Sequence, residues 1–224
     1  MLAPLPKPLS RTFLVEGAYE TILENILSGA LPSGTVVSEV SLAQDLHISR
    51  TPVHQALARL AKEGLIDHRA GRKPRIARFG REDVLEIYDM RLLLETAATQ
   101  RATKRIDPRY LADLTREAEQ LAAAADGPEW TTAALDFDLR FHDAIAAASG
   151  NRRLRQEIAK YRLQVRAFCR MTGSAENLRD ALAEHLIVLK AMAERNPAAA
   201  GHAMAKHVQK RLDAVLISLY PEAK

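Results

Sequence analysis

Apolar residues recur at helical spacing from Phe13 to Leu27, where Leu14, Ala18, Ile22 and Ile26, with Leu23 and Leu27, form one stripe that stops at the turn "SGALPSG". This predicts a first helix. A shorter stripe follows in "SEVSLAQDLHIS" through Val40, Leu42, Ala43 and Leu46, and a third begins at Ser49, where Val53, Leu57, Leu60 and Ala61 keep the rhythm as far as Gly64. Ser49 is placed as an N-cap and Pro52 falls in the first turn, where a missing N–H costs nothing, so two short helices joined by a tight turn are expected. The rhythm then changes. "LIDH" and "PRIARF" have the pattern of two short strands around the basic turn "RAGRK", completing the order helix, helix–turn–helix, two-stranded wing.

From Glu82 onward no strand pattern occurs, and breakers divide the chain into helical segments at roughly 82–105, 108–125, 129–148, 151–171, 175–195 and 197–219. Each carries an apolar stripe, as in Leu85, Leu92, Leu93 and Ala97 of the first. The expected fold class is therefore mainly α, with a winged helix-turn-helix over residues 1–79 and an all-α bundle of about six helices over 80–224.

Composition narrows the setting. With 224 residues, 47% of them apolar, the chain can fill real cores, yet it has no apolar run of the ~18 residues a spanning helix needs. The N-terminal "MLAPLPKPLSRT" lacks the uninterrupted apolar stretch of a signal peptide, so a soluble cytoplasmic protein without membrane association is expected. The single Cys169 cannot form an intramolecular disulfide, which fits a reducing compartment, and a buried inert thiol is its default reading. The formal charge of +4 is mild, but Arg69, Arg72, Lys73, Arg75, Arg78 and Arg81 follow one another without an acid. Such a patch suits a polyanion. A helix beginning at Ser49 can offer its first residues to base edges in the major groove while the wing lays arginines along phosphates.

The candidate chemistry lies in the helical region. Asp138 and His142 in "DLRFH" are four residues apart, displaced by about 40° around a helix, so both point the same way. His185 is in line with Leu182, Leu189 and Met192, and His207 shares a face with Ala203, Met204 and Ala214, although Arg211 one turn on would have to reach solvent or find an acid. His202 falls outside this set. Interior histidines from three helices, joined by a carboxylate, need a partner, because an unpaired buried imidazole costs free energy. A divalent metal would supply it, and satisfied core histidines are the alternative. The donor set suits zinc foremost, or nickel, manganese, iron or cobalt.

The stretch "ILSGALPSGTVVSEVSLAQDLHISRTPVHQALARLAKEGLI", and within it "SRTPV…AL.RL..EGL", resembles the DNA-binding domain of the GntR family of bacterial transcription regulators. By that resemblance Ser49, Arg50 and Thr51 would contact DNA at the start of the recognition helix, and Gly71, beside Arg72, would sit at the wing tip. The family usually has Arg-Glu where this chain has His54-Gln55. His54 can make one hydrogen bond but lacks the bidentate fork with which arginine reads guanine, so the base read there is expected to differ. Further on, "RLLLETAA", "FDLRFHDAIAAASGN", "EHLIVLKAM" and "AKHV" resemble the FCD-type effector domain of the FadR subfamily. In its metal-containing members the ligands carry over, one by one, onto Asp138, His142, His185 and His207; acyl-CoA-binding members lack this set. The resemblance further implies a small organic acid, such as a hydroxy acid or sugar acid, at open metal positions. Arg91, which matches the family's first-helix arginine and has Glu95 one turn later, would bind it. Arg162, on the stripe of Ile158 and Val165, and Asn151 are further candidates for that role.

The reading that follows is a homodimeric, effector-responsive regulator of a pseudo-palindromic operator, not an enzyme, with repression and activation both open. Two rivals share its metal site: a metal-dependent hydrolase, for which Glu184 beside His185 would be the general base, and a bundle stapled by a structural ion.

Overall fold

The computed structural model describes residues 11–68, 73–169 and 175–221, which fall into two compact units parting between Arg78 and Phe79. The first holds helices α1 (Arg11–Ser28), α2 (Glu39–Asp45) and α3 (Arg50–Lys62), then strands β1 (Ile66–Asp67) and β2 (Arg75–Ile76). Its core follows the apolar stripes: Ala18, Ile22 and Ile26 of α1 are buried, as are Val53, Ala56, Leu57 and Leu60 of α3. The strands pair antiparallel, Ile66 opposite Ile76 and Asp67 opposite Arg75, and Val36 bridges to Arg75 from the far side. Gly71 and Arg72, with the rest of the wing tip, lie outside the described residues.

Local chemistry sets the helix ends. Ser38 caps α2, its side chain accepting from Ser41 N–H, whereas Ser49, at the N-cap of α3, makes no capping bond through its hydroxyl. The turn between α2 and α3 runs through His47 at φ 53°, a left-handed conformation in which a Cβ costs about 1–2 kcal/mol. His47→Gly is therefore expected to raise the stability of this unit by about 1 kcal/mol, read as a higher denaturation midpoint at unchanged slope.

The second unit contains α4 (Arg81–Thr103), α5 (Pro108–Ala123), α6 (Pro128–Ala148), α7 (Arg152–Cys169), α8 (Ala175–Ala193) and α9 (Pro197–Leu219). The breakers that divide this region also start its helices. Asp107 accepts from the N–H groups of Arg109 and Tyr110 ahead of α5, and Asn196 accepts from Ala199 ahead of α9, each followed by proline at the first helical position. Phe137, Phe141, Leu189, Met192 and Met204 are among the most buried side chains of the bundle. α4 and α9 approach closely at Gly201, where an added Cβ would come within 2.6 Å of Gln100 Cγ. No helix among the described residues is long and apolar enough to cross a membrane.

Candidate metal centre

Three helices of the bundle deliver Asp138 and His142 (α6), His185 (α8) and His207 (α9) to one point, with a ligand atom from each inside a span of 4.8 Å. The three imidazoles are almost wholly buried, at 1–2% exposure, while Asp138 stays a quarter exposed. Asp138 Oδ1 lies 3.6 Å from His142 Nε2 and 3.5 Å from His185 Nε2, beyond ordinary hydrogen-bond reach. His142 Nε2, His207 Nε2 and both ring nitrogens of His185 are consequently buried without a hydrogen-bond partner. Orphaned polar atoms of this kind are expensive. Their convergence beside a carboxylate is what a cation would satisfy, so the donor set fits a divalent metal.

The outward-facing nitrogens are held by acids. His142 Nδ1 bonds the Glu95 carboxylate, and His207 Nδ1 lies 2.9 Å from Glu184 Oε2. With the proton on Nδ1 donated to the acid, each Nε2 presents its lone pair to the centre, an arrangement that fixes the tautomer and raises ligand basicity. His185 is set differently, stacked on Phe141 with ring centroids 4.0 Å apart.

Electrostatics hold His185, His207 and Asp138 in the forms a metal would bind. Burial, then the neighbouring His207 imidazole, pushes His185 well below the ordinary imidazole range; burial and His142 do the same to His207, so both rings are neutral. For Asp138, burial alone would raise the carboxyl, but Arg162 and the facing histidines outweigh it and hold it ionised. Glu95 follows the same pattern, with Arg91 and His142 overcoming burial.

A cavity of about 130 Å³ opens beside the cluster, with Arg91, Asp138, Arg162 and His207 on its wall. Arg162 pairs with Asp138, while Arg91 donates from Nε to Glu95 Oε1 at 2.7 Å. The Arg91–Glu95 pair is buried to 1–2% and so is no surface ion pair, and Arg91 Nη2 is without a partner. Asn151 is not brought to this cavity: its side chain accepts from the N–H groups of Arg153 and Leu154 and caps α7. Arg211 finds the acid it needs in Glu184, at 3.2 Å, and His202 is exposed.

Sequence reasoning gave Glu184 only the part of a general base and Glu95 only that of a partner to Arg91. Each holds a histidine of the cluster by its Nδ1. The signal was present: Glu184 falls in the i, i+3, i+4, i+7 set of Ala181, His185 and Val188, and Glu95 in that of Tyr88, Arg91, Ala98 and Thr99, all buried.

In the first unit, Ser49, Arg50, Thr51 and His54 are exposed together at the start of α3. Glu39 of α2 braces this edge, accepting from His54 Nδ1 at 2.8 Å and lying 3.7 Å from Arg50 Nη2.

Two family models match the chain: "Bacterial regulatory proteins, gntR family" over residues 14–75, and "FCD domain" over residues 86–210. A probable D-xylose utilization operon transcriptional repressor from Paenarthrobacter nicotinovorans is 27% identical over 208 residues, covering 93% of this chain and 91% of that one. The gluconate operon transcriptional repressor of Bacillus subtilis is 34% identical over 145 residues, 60% of this chain and 54% of the relative. The structure of E. coli McbR/YncC shares the fold, with a TM-score of 0.74 at 22% identity over 90% of this chain and 96% of that one. The chain thus belongs to the GntR family of bacterial transcriptional regulators, its helix-turn-helix domain followed by an FCD domain, and like its relatives it is a regulator and not an enzyme.

Proposed function

We propose that this regulator binds a pseudo-palindromic operator as a homodimer in the cytoplasm, and that a small carboxylate held at a divalent metal in the FCD domain sets its operator affinity. The observation that carries this reading is the convergence of orphaned imidazole nitrogens and Asp138 beside a cavity that also holds Arg91 and Arg162. Asp138, His142, His185 and His207 would hold the ion, zinc foremost, which supplies Lewis-acid positions for a carboxylate oxygen. Glu95 and Glu184 hold the rings in register. Arg91, with a free Nη2, and Arg162 neutralise the incoming anion. A relative that represses a gluconate operon is consistent with an organic acid as signal. The hydrolase alternative loses its base, because Glu184 is committed to His207, Lys210 and Arg211.

At the DNA, Ser49, Arg50, Thr51 and His54 form the reading edge, with Gly71 and Arg72 of the wing expected on the backbone and in the minor groove. Because His54 Nδ1 meets Glu39, its Nε2 points outward as the single reading atom. His54→Arg restores a bidentate fork and shifts the selected operator toward guanine at the corresponding base, with about 1–3 kcal/mol of discrimination. Selection from random DNA with both proteins checks it. The whole proposal is tested by fluorescence anisotropy of the metal-loaded protein on DNA from the promoter regions flanking its gene. Specific binding that a carboxylate strengthens or weakens is the expected result. Absence of preference over random DNA removes the operator, and affinity indifferent to every carboxylate removes the sensor.

A further inference from the structure

The cavity beside the cluster is lined by two chemically distinct sets of side chains. The polar and charged set has been described; among the described residues the apolar set is Leu135 of α6, Val165 of α7, Leu178 and Ala181 of α8, and Ala214 and Val215 of α9. Four helices therefore contribute side chains that can neither donate nor accept a hydrogen bond. The remaining polar groups on the lining are few. Arg211 is taken up by Glu184 and by the Asn177 carbonyl, so beyond the candidate ligand His207 the uncharged polar side chains of the lining, among the described residues, are Tyr88 and Asn177. The space, about 130 Å³, is close to that of a cavity of roughly 150 Å³ that takes up one benzene.

These facts bear on which acid fits. A sugar acid carries a hydroxyl on nearly every carbon, and each hydroxyl pressed against an aliphatic wall gives up its water without replacement. A short aliphatic chain loses nothing there and gains apolar contact. We infer that the effector is a small aliphatic carboxylate of about four to five carbons, its acid group at the metal and the two arginines and its hydrocarbon end against the Leu135, Val165, Leu178 and Val215 wall, and not a polyhydroxylated sugar acid. This rests on the carboxylate-sensor reading and narrows it. It also separates this chain from the gluconate repressor it resembles, because a six-carbon polyol acid is too polar for this lining.

A matched pair of probes decides the question. 2-Hydroxybutanoate and glycerate have the same number of non-hydrogen atoms and the same 2-hydroxy acid head, and differ in whether the tail ends in methyl or hydroxyl. Calorimetric titration of the full-length, zinc-loaded protein is expected to give at least about tenfold tighter binding of 2-hydroxybutanoate, with gluconate weaker still. Val165→Thr, which places a hydroxyl on the wall at nearly constant volume, is expected to narrow that ratio severalfold. Glycerate or gluconate binding as tightly as 2-hydroxybutanoate overturns the aliphatic assignment and leaves the carboxylate sensor standing. If none of the three binds, and no other short carboxylate stabilises the zinc-loaded protein against heat, the sensor reading itself fails.

Discussion

His142→Ala and His185→Ala are each expected to lose the proposed metal. Wild-type protein dialysed against metal-free buffer is expected to retain close to one equivalent of a divalent ion by elemental analysis, and each variant a small fraction of it. Loss of a directly ligating imidazole exceeds the ~10–100-fold in affinity that removal of an outer partner costs. The burial of these rings makes a second measurement informative. Their inward nitrogens are unpaired unless a cation is present, so chelation lowers the melting temperature of the wild type, since an ion that binds only the folded state stabilises it by mass action. In His185→Ala that chelator-sensitive increment disappears. Full metal retention in both variants would sink the assignment.

Glu95→Ala is expected to cost about 3–5 kcal/mol of stability in chemical denaturation, the largest effect on folding of any substitution considered. The reason is Arg91. Its guanidinium is buried to 1% and its charge is compensated chiefly by the Glu95 carboxylate at 2.7 Å, so alanine leaves an uncompensated ion in the bundle. The double variant Arg91→Met with Glu95→Leu, which removes both charges and keeps the volume, is expected to recover most of that loss. It does not recover metal affinity, because His142 no longer has an acid at Nδ1, and a deficit of roughly 10–100-fold remains. Stability and affinity thus separate. If Glu95→Ala unfolds no more easily than wild type, Glu95 is not the buried counter-ion of Arg91.

Much of this was legible in the pattern of apolar positions. The segments marked by breakers from Glu82 to Leu219 are helices within a few residues of the expected bounds, because proline, glycine and Asx caps act locally. The wing was less legible in extent. "PRIARF" yields only Arg75–Ile76 as strand, since pairing depends on where Val36 and Ile66 come to lie. Ser49 occupies the N-cap without making the bond its residue type prefers, a choice of rotamer that sequence does not encode. At the candidate metal cluster the four residues that converge could be picked out by type and spacing. The acids behind them could not be assigned, because whether Glu184 faces His207 or a substrate depends on the packing of α8 against α9, a relation between segments distant in the chain.

The pairing of Arg162 with Asp138 has a thermodynamic consequence. One carboxylate has two claimants: the guanidinium on α7 and the imidazole cluster it faces on α6 and α8. When Asp138 turns its charge toward the cluster, Arg162 is left with unspent positive charge on the cavity wall, and an anion arriving there meets a stronger host. Under the proposed function the two occupancies would therefore favour each other by the same factor in either order, and operator binding would respond to a conjunction of cation and anion more steeply than to either alone.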